Sequence, residues 1–361
     1  MPTSDHTNLR VPGPTPLPPA VREALSQQMI NHRSPEFSAM HAEIVAGLQE
    51  ILLTRHDVLI LTCSGTGGLE AAIVNTLSPG DPVLAVSVGY FGDRFTNIAR
   101  AYGAQVIALN FEWGLAADPA QVEAALREHP EVKAVLVTHN ETSTGVTNDL
   151  PTIARAVKSA GKLLLVDAIS SAASIPLRID DWGLDVVITG SQKGWMVPPG
   201  LSFIAVGPEG WRVWEQARMP RFYFDFGQAR KSGEKNQTPW TPAVPVYYAL
   251  VAALRMLHDE GLENVWARHQ RVADRCRRGV KGIGLELLAD ERVASNTVTA
   301  VKASTNLDVS TMLQRLRTEH QVILSGAQGP LAGKVFRIGH LGWVTESDID
   351  GVLAALRLVV R

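Results

Sequence analysis

Gly190-Ser191-Gln192-Lys193-Gly194-Trp195 follows the strand-like run Asp185-Val186-Val187-Ile188, which places a lysine just past the carboxyl end of a strand. In an open α/β sheet, ligands bind at that edge. Small residues and an amide surround Lys193, and apolar Trp195, Met196 and Val197 come next. An enclosed lysine loses part of its preference for the charged form and becomes a usable amine nucleophile. Read alone, a lysine at a strand end is more often structural, so the stretch needs company.

Two further stretches supply it. Leu163-Leu164-Leu165-Val166-Asp167 is an apolar run ending in a carboxylate, and Ala168-Ile169 continue it. A buried aspartate needs a partner charge, whereas a strand-end aspartate in solvent does not. Leu61-Thr62-Cys63-Ser64-Gly65-Thr66-Gly67-Gly68 is a strand and a Gly-rich turn leading into a helix. The turn is not a P-loop, because no Gly-Lys-Ser/Thr ends it. It is not a dinucleotide fingerprint either, since the third glycine is missing and Asp81 begins the next strand instead of ending it. A plain helix cap and a phosphate cradle both remain; the cradle needs only the free amides and hydroxyls that Ser64, Gly65 and Thr66 provide. An amine, a carboxylate and an anion site together are the three parts that hold pyridoxal 5'-phosphate.

With these residues in hand, the chain resembles the class V, fold-type I pyridoxal-phosphate-dependent aminotransferases, in the alanine/serine–glyoxylate branch. The matching stretches are Val11-Pro12-Gly13-Pro14-Thr15, Ser64-Gly65-Thr66, Thr138-His139-Asn140-Glu141-Thr142-Ser143-Thr144-Gly145, Val166-Asp167, Ser191-Gln192-Lys193 and Phe336-Arg337-Ile338-Gly339. They occur in family order along nearly the whole chain. The resemblance implies that Lys193 carries the cofactor and Asp167 pairs with its pyridine nitrogen. Ile169 and Phe91 would cover the two ring faces, Thr142 would reach the phenolic oxygen, and Gln192 would join the phosphate cradle. Thr241 would be a phosphate ligand lent by a second subunit, which makes the expected enzyme a homodimer with shared sites. Arg337 would hold the α-carboxylate of the substrate. On the residues alone, Phe91 also reads as a core aromatic, Thr142 as a turn residue, and Arg337 as an edge-strand arginine paired with a nearby acid.

The bulk numbers set bounds. At 361 residues the chain exceeds one small core. A net charge of -2 gives no reason to expect nucleic acid or an anionic membrane as partner. No apolar run reaches the length of a membrane span, and Met1 to Arg10 lacks the apolar core of a secretory signal. Two cysteines, Cys63 and Cys276, fit a reducing, cytoplasmic compartment. Ten histidines show no ligand spacing, so no metal is proposed.

Short apolar runs at 58–61, 83–86, 106–109, 134–137, 163–166, 186–188 and 203–206 alternate with helical patterns. They predict an α/β fold with a mostly parallel, seven-stranded sheet covered on both faces. The expected division is an extended, Pro-rich arm over 1–20, a large cofactor-binding domain over 21–263 and a smaller C-terminal α+β domain over 264–361. Residues 227–241 read as a polar loop. Arg268, Arg271, Arg275, Arg278 and Lys281 recur at helical spacing and read as a solvated face. His32, Arg33 and Trp240 are candidates for the pocket that separates one amino donor from another. A desulfurase on the same fold, an aspartate or aminoethylphosphonate aminotransferase, and a non-catalytic binding protein are the competing readings.

Overall fold

A computed structural model describes residues 7–360; of the expected N-terminal arm, residues 1–6 lie outside the described residues. The seven predicted strands are Asp57–Leu61 (β1), Pro82–Ser87 (β2), Gln105–Asn110 (β3), Ala134–Thr138 (β4), Leu163–Asp167 (β5), Val186–Gly190 (β6) and Ser202–Val206 (β7). They form one sheet in the order β1-β7-β6-β5-β4-β2-β3, and only β7 runs against the rest. Side chains alternate between two cores. Val58 and Ile60 face one layer of helices while Leu59 and Leu61 face the other, and Leu84 and Val83 divide the same way. That period of two, with apolar residues on both faces, is why these strands read as continuous apolar runs.

The C-terminal part has its own sheet and core. Glu286–Leu287 (β8), Val298–Lys302 (β9), Ser325–Gly326 (β10) and Val335–Gly339 (β11) pair antiparallel in the order β8-β9-β11-β10. Phe336 and Ile338 pack there with Val272, Cys276 and Val280 of the helix Leu262–Gly282. Of the arm expected to be extended over 1–20, Pro19 and Ala20 instead open the helix Pro19–Ala24, and its first described residues lie across this unit. Asn8–Leu9 pairs in parallel with Val322–Ile323, and buried Arg10 meets Asp348 at 3.1 Å.

Three expectations change. The helix after the Gly-rich turn begins at Gly65, four residues earlier than its apolar pattern suggests, so the glycines lie in its first turn. A Cβ on Gly68 would strike Ser202 Oγ and Ile188, so this glycine is what lets the helix lie close against the sheet. Second, Phe226–Gly233 is a helix, not a loop: Asp225 caps it, accepting from Gln228 N–H at 3.0 Å, and Phe226 and Ala229 are buried. Third, the basic stripe is not simply solvated. Arg268 is largely buried between Glu260 and the carbonyls of Gly342 and Val344, and Arg275 pairs with Asp350.

Candidate active site

The carboxyl ends of β1, β2, β4, β5 and β6 converge on one cavity of about 310 Å³. Lys193, Asp167, Ile169, Gln192, Phe91 and Thr142 line it, together with the turn of Ser64, Gly65 and Thr66. Nine of the candidates named from sequence therefore meet in one place. Arg337 stands beside it: its Nη1 donates to Thr142 O at 3.3 Å. Thr241 is exposed and does not line the cavity of a single chain, nor do His32, Arg33 or Trp240. Arg33 instead donates to the carbonyls of Thr238 and Pro239.

The Gly-rich turn ends in a working helix terminus. Ser64 caps the helix Gly65–Thr76 (α1), its hydroxyl accepting from Gly67 N–H at 3.5 Å. The first backbone hydrogen bond returns from Gly68 N–H to Ser64 O, so the amides of Gly65 and Thr66 have no intrahelical acceptor. A Cβ on Gly65 would sit 2.6 Å from Ile169 Cδ1, which reserves this close approach for glycine.

Burial sets the electrostatics. Asp167 ends β5 with Oδ1 accepting from Ile169 N–H at 2.9 Å. Desolvation pushes its carboxyl up to about 7, against the pull of that amide, with Glu141 raising it further. The same desolvation, helped by the Arg337 charge, brings the Lys193 amine down to about 8. Lys193 Nζ donates to Pro12 O, and Thr15 Oγ1 donates to Lys193 O at 3.1 Å, so the N-terminal arm covers the lysine. Gly13 has φ +126, and a Cβ there would lie 2.7 Å from Lys193 Nζ.

Several residues escaped the sequence reading. Arg94 lines the cavity, 4.8 Å from the centre of the Phe91 ring, with Nη1 donating to Thr66 Oγ1 at 3.3 Å. Its position three residues after Phe91, one turn on in the helix Tyr90–Ala101 (α2), was the available signal. Glu141 is fully buried and accepts from Phe91 N–H and Gly92 N–H at 3.0 Å each, and from Ser143 N–H and Oγ at 2.9 and 2.6 Å. It thereby pins the start of α2, and Phe91 with it. Asn140 donates to Ser170 Oγ and to Thr297 Oγ1, tying the cavity to the C-terminal unit. Gln328 lines the cavity from that unit, and no local pattern announced it.

The residues fit a pyridoxal phosphate. Asp167 is buried with no cation in ion-pair contact among the described residues, and the amide oxygen of Gln192 is buried without a hydrogen-bond partner. The family described as Aminotransferase class-V matches residues 8–337. The chain belongs to that family. This class-V aminotransferase is 43% identical over 359 residues to a protein of Synechococcus sp. (strain PCC 6716) named "Soluble hydrogenase, small subunit", covering 99% of this chain and 93% of the relative. It is 36% identical to the serine–glyoxylate aminotransferase of Methylorubrum extorquens, covering 97% and 90%. A crystal structure of alanine–glyoxylate aminotransferase from Nostoc sp. superposes with a TM-score of 0.95 at 32% identity, covering 98% of this chain and 95% of that one.

The cofactor of this class-V aminotransferase is pyridoxal 5'-phosphate. Among the described residues, no group of three His, Cys, Asp or Glu side chains is placed to hold a metal ion. Burial pushes both Cys63 and Cys276 up to about 12, so neither thiol is poised as a nucleophile or ligand. No helix among the described residues is long and apolar enough to cross a membrane.

Proposed function

We propose that this aminotransferase moves the amino group of a small amino acid, alanine or serine, to glyoxylate or another 2-oxo acid in two half-reactions. One observation carries the reading: Arg337, a largely buried cation that makes no ion pair with a described carboxylate. Its Nε and Nη2 rest on Gly326 O at 3.1 and 2.8 Å. A planar guanidinium held this way suits the α-carboxylate shared by every amino and 2-oxo acid in the cycle.

In this reading, Lys193 Nζ holds the cofactor covalently, and once displaced by the donor it takes the proton from the donor's α-carbon. An amine brought down to about 8 is neutral often enough near neutral pH to act as that base. Asp167 would face the pyridine nitrogen, and Ser64, Gly65, Thr66 and Gln192 would hold the phosphate. Ile169 and Phe91 would cover the ring faces, and Thr142 would meet the phenolic oxygen. When bound, the cofactor acts as an electron sink for the carbanion formed at the α-carbon. Thr241 would complete the phosphate site from a second copy, in a cytoplasmic homodimer. The exposed rings of Phe222 and Tyr223, with Trp240 stacked on Phe222 at 5.0 Å, favour such a contact near Thr241. The division into an arm (1–20), a large domain (21–263) and a small domain (264–361) is part of the same proposal; the helix break nearest the second boundary is Gly261. The raised thiols argue against a desulfurase.

The test is an absorbance spectrum of the holoenzyme, taken after L-alanine or L-serine and again after glyoxylate. The cofactor band should fade with the amino acid and return with glyoxylate. A band that ignores both amino acids rejects the substrate reading.

A further inference from the structure

The cavity is built almost wholly from the large-sheet part of the chain, between Ser64 and Pro199, with Gly13 and Pro14 of the arm above it. Gln328 is the one lining residue that comes from the C-terminal unit. It follows β10, whose Gly326 carbonyl holds Arg337, so one short segment both lines the cavity and fixes the arginine beside it. The next residue, Gly329, stands close to the rings of Trp113 and Tyr90, 3.5 and 3.6 Å from where its Cβ would be. Asp167, Ile169 and the Ser64–Thr66 turn line the same cavity from the large-sheet part. A molecule whose carboxylate lies on Arg337 has Gln328, two residues on from the glycine that holds this arginine, as its neighbour from the C-terminal unit.

The amide oxygen of Gln328 is buried and has no hydrogen-bond partner among the described residues. A buried amide left unpaired is costly, and a substrate group can make good that loss. The assignment of oxygen and nitrogen in such an amide follows from its neighbours, so the partner must suit either orientation. A hydroxyl does, because it donates and accepts. A methyl group does neither, and a carboxylate accepts only.

We propose that Gln328 reads the side chain of the amino donor, hydrogen-bonding the hydroxyl of serine and favouring serine over alanine. This rests on the transamination reading above. The experiment compares kcat/KM for L-serine and L-alanine, with glyoxylate as acceptor, in the wild-type holoenzyme and in Gln328→Leu. Gln328→Ala serves as a second, smaller replacement. The serine-to-alanine ratio should fall roughly tenfold, the usual worth of one hydrogen bond whose loss leaves a polar group unpaired. Dissociation constants for α-methylserine and 2-aminoisobutyrate, which lack an α-hydrogen, should shift in the same sense in an absorbance titration. A ratio unchanged in both variants overturns the role of Gln328 while the transamination reading stands. A wild-type enzyme that accepts neither amino acid overturns both.

Discussion

Arg337 and Asp167 are both buried charges held ready for a ligand, and each makes a prediction. Replacing Arg337 by alanine removes charge-assisted hydrogen bonds worth about 1.5–3 kcal/mol, so the apparent KM for the amino donor should rise roughly ten- to two-hundredfold. The cofactor spectrum should survive, and a wild-type KM would reject the carboxylate role. Asp167 works against the stability of the empty chain. Its folded pKa of about 7 lies above the ordinary 3.8, so the folded state binds the extra proton and stability falls as pH rises from about 4 to 7. Asp167→Asn should therefore stabilise the cofactor-free protein at pH 7.5, by at most ~4 kcal/mol, while weakening cofactor retention. Thermal melts of the two apoproteins check the first half and dialysis of the holoproteins the second; a destabilised apo variant would contradict it. Lys193 and Asp167 were legible from sequence because each stands at or just past the end of an apolar strand, although the cover over Lys193 comes from Pro12 and Gly13 of the distant arm. Arg94 and Gln328 reach the cavity across packed elements, and nothing beside Gln328 in sequence reports that.

At the scale of elements, the sheet was legible and its margins were less so. Strands buried on both faces announce themselves, since nearly every residue in them must be apolar. The helix Phe226–Gly233 was read as loop because Gly, Lys, Ser and Gln dominate it. Two things outside composition stabilise it: the Asp225 cap, and the docking of Phe226 and Ala229 on the large-sheet core. Asp225→Ala should cost about 1 kcal/mol of unfolding free energy. The loss of its 3.3 Å ion pair with Arg221 falls in the same variant. Urea denaturation reads the change, and an unaltered midpoint would show that docking alone holds the helix. The basic stripe misled in the opposite direction. Helical spacing correctly put its arginines on one face, but that face is partly covered, by Glu260 and by the last helix through Glu346 and Asp350.

At the scale of the whole molecule, four histidines among the described residues are buried, and they make it sensitive to acid. Burial brings His41 and His139 down to about 4 and His269 and His340 to about 3. Unfolded, each would take a proton near 6.5, so each lowers stability as pH falls below that value, by ~1.4 kcal/mol per pH unit, until its folded pKa is reached. His340→Gln keeps polar atoms for Thr299 and Asn296 and should reduce proton uptake on unfolding at pH 5 by about one. Paired denaturation curves at neighbouring pH values measure this, and an unchanged uptake would mean that His340 is protonated in the fold. The strands of the large sheet were legible from their apolar runs, whereas the path of the arm was not, because proline-rich sequence fixes an extended shape without saying what it lies on. That path has a consequence for biosynthesis. Asn8–Leu9 waits for Val322–Ile323, and Arg10 waits for Asp348, to anchor the segment whose next residues, Pro12 and Gly13, lie over Lys193. Residues 8–10 thus find their partners only after residues far later in the chain have been made. Until then the reactive amine of the nascent chain stands uncovered, and any chain that stops short of Val322 keeps it so.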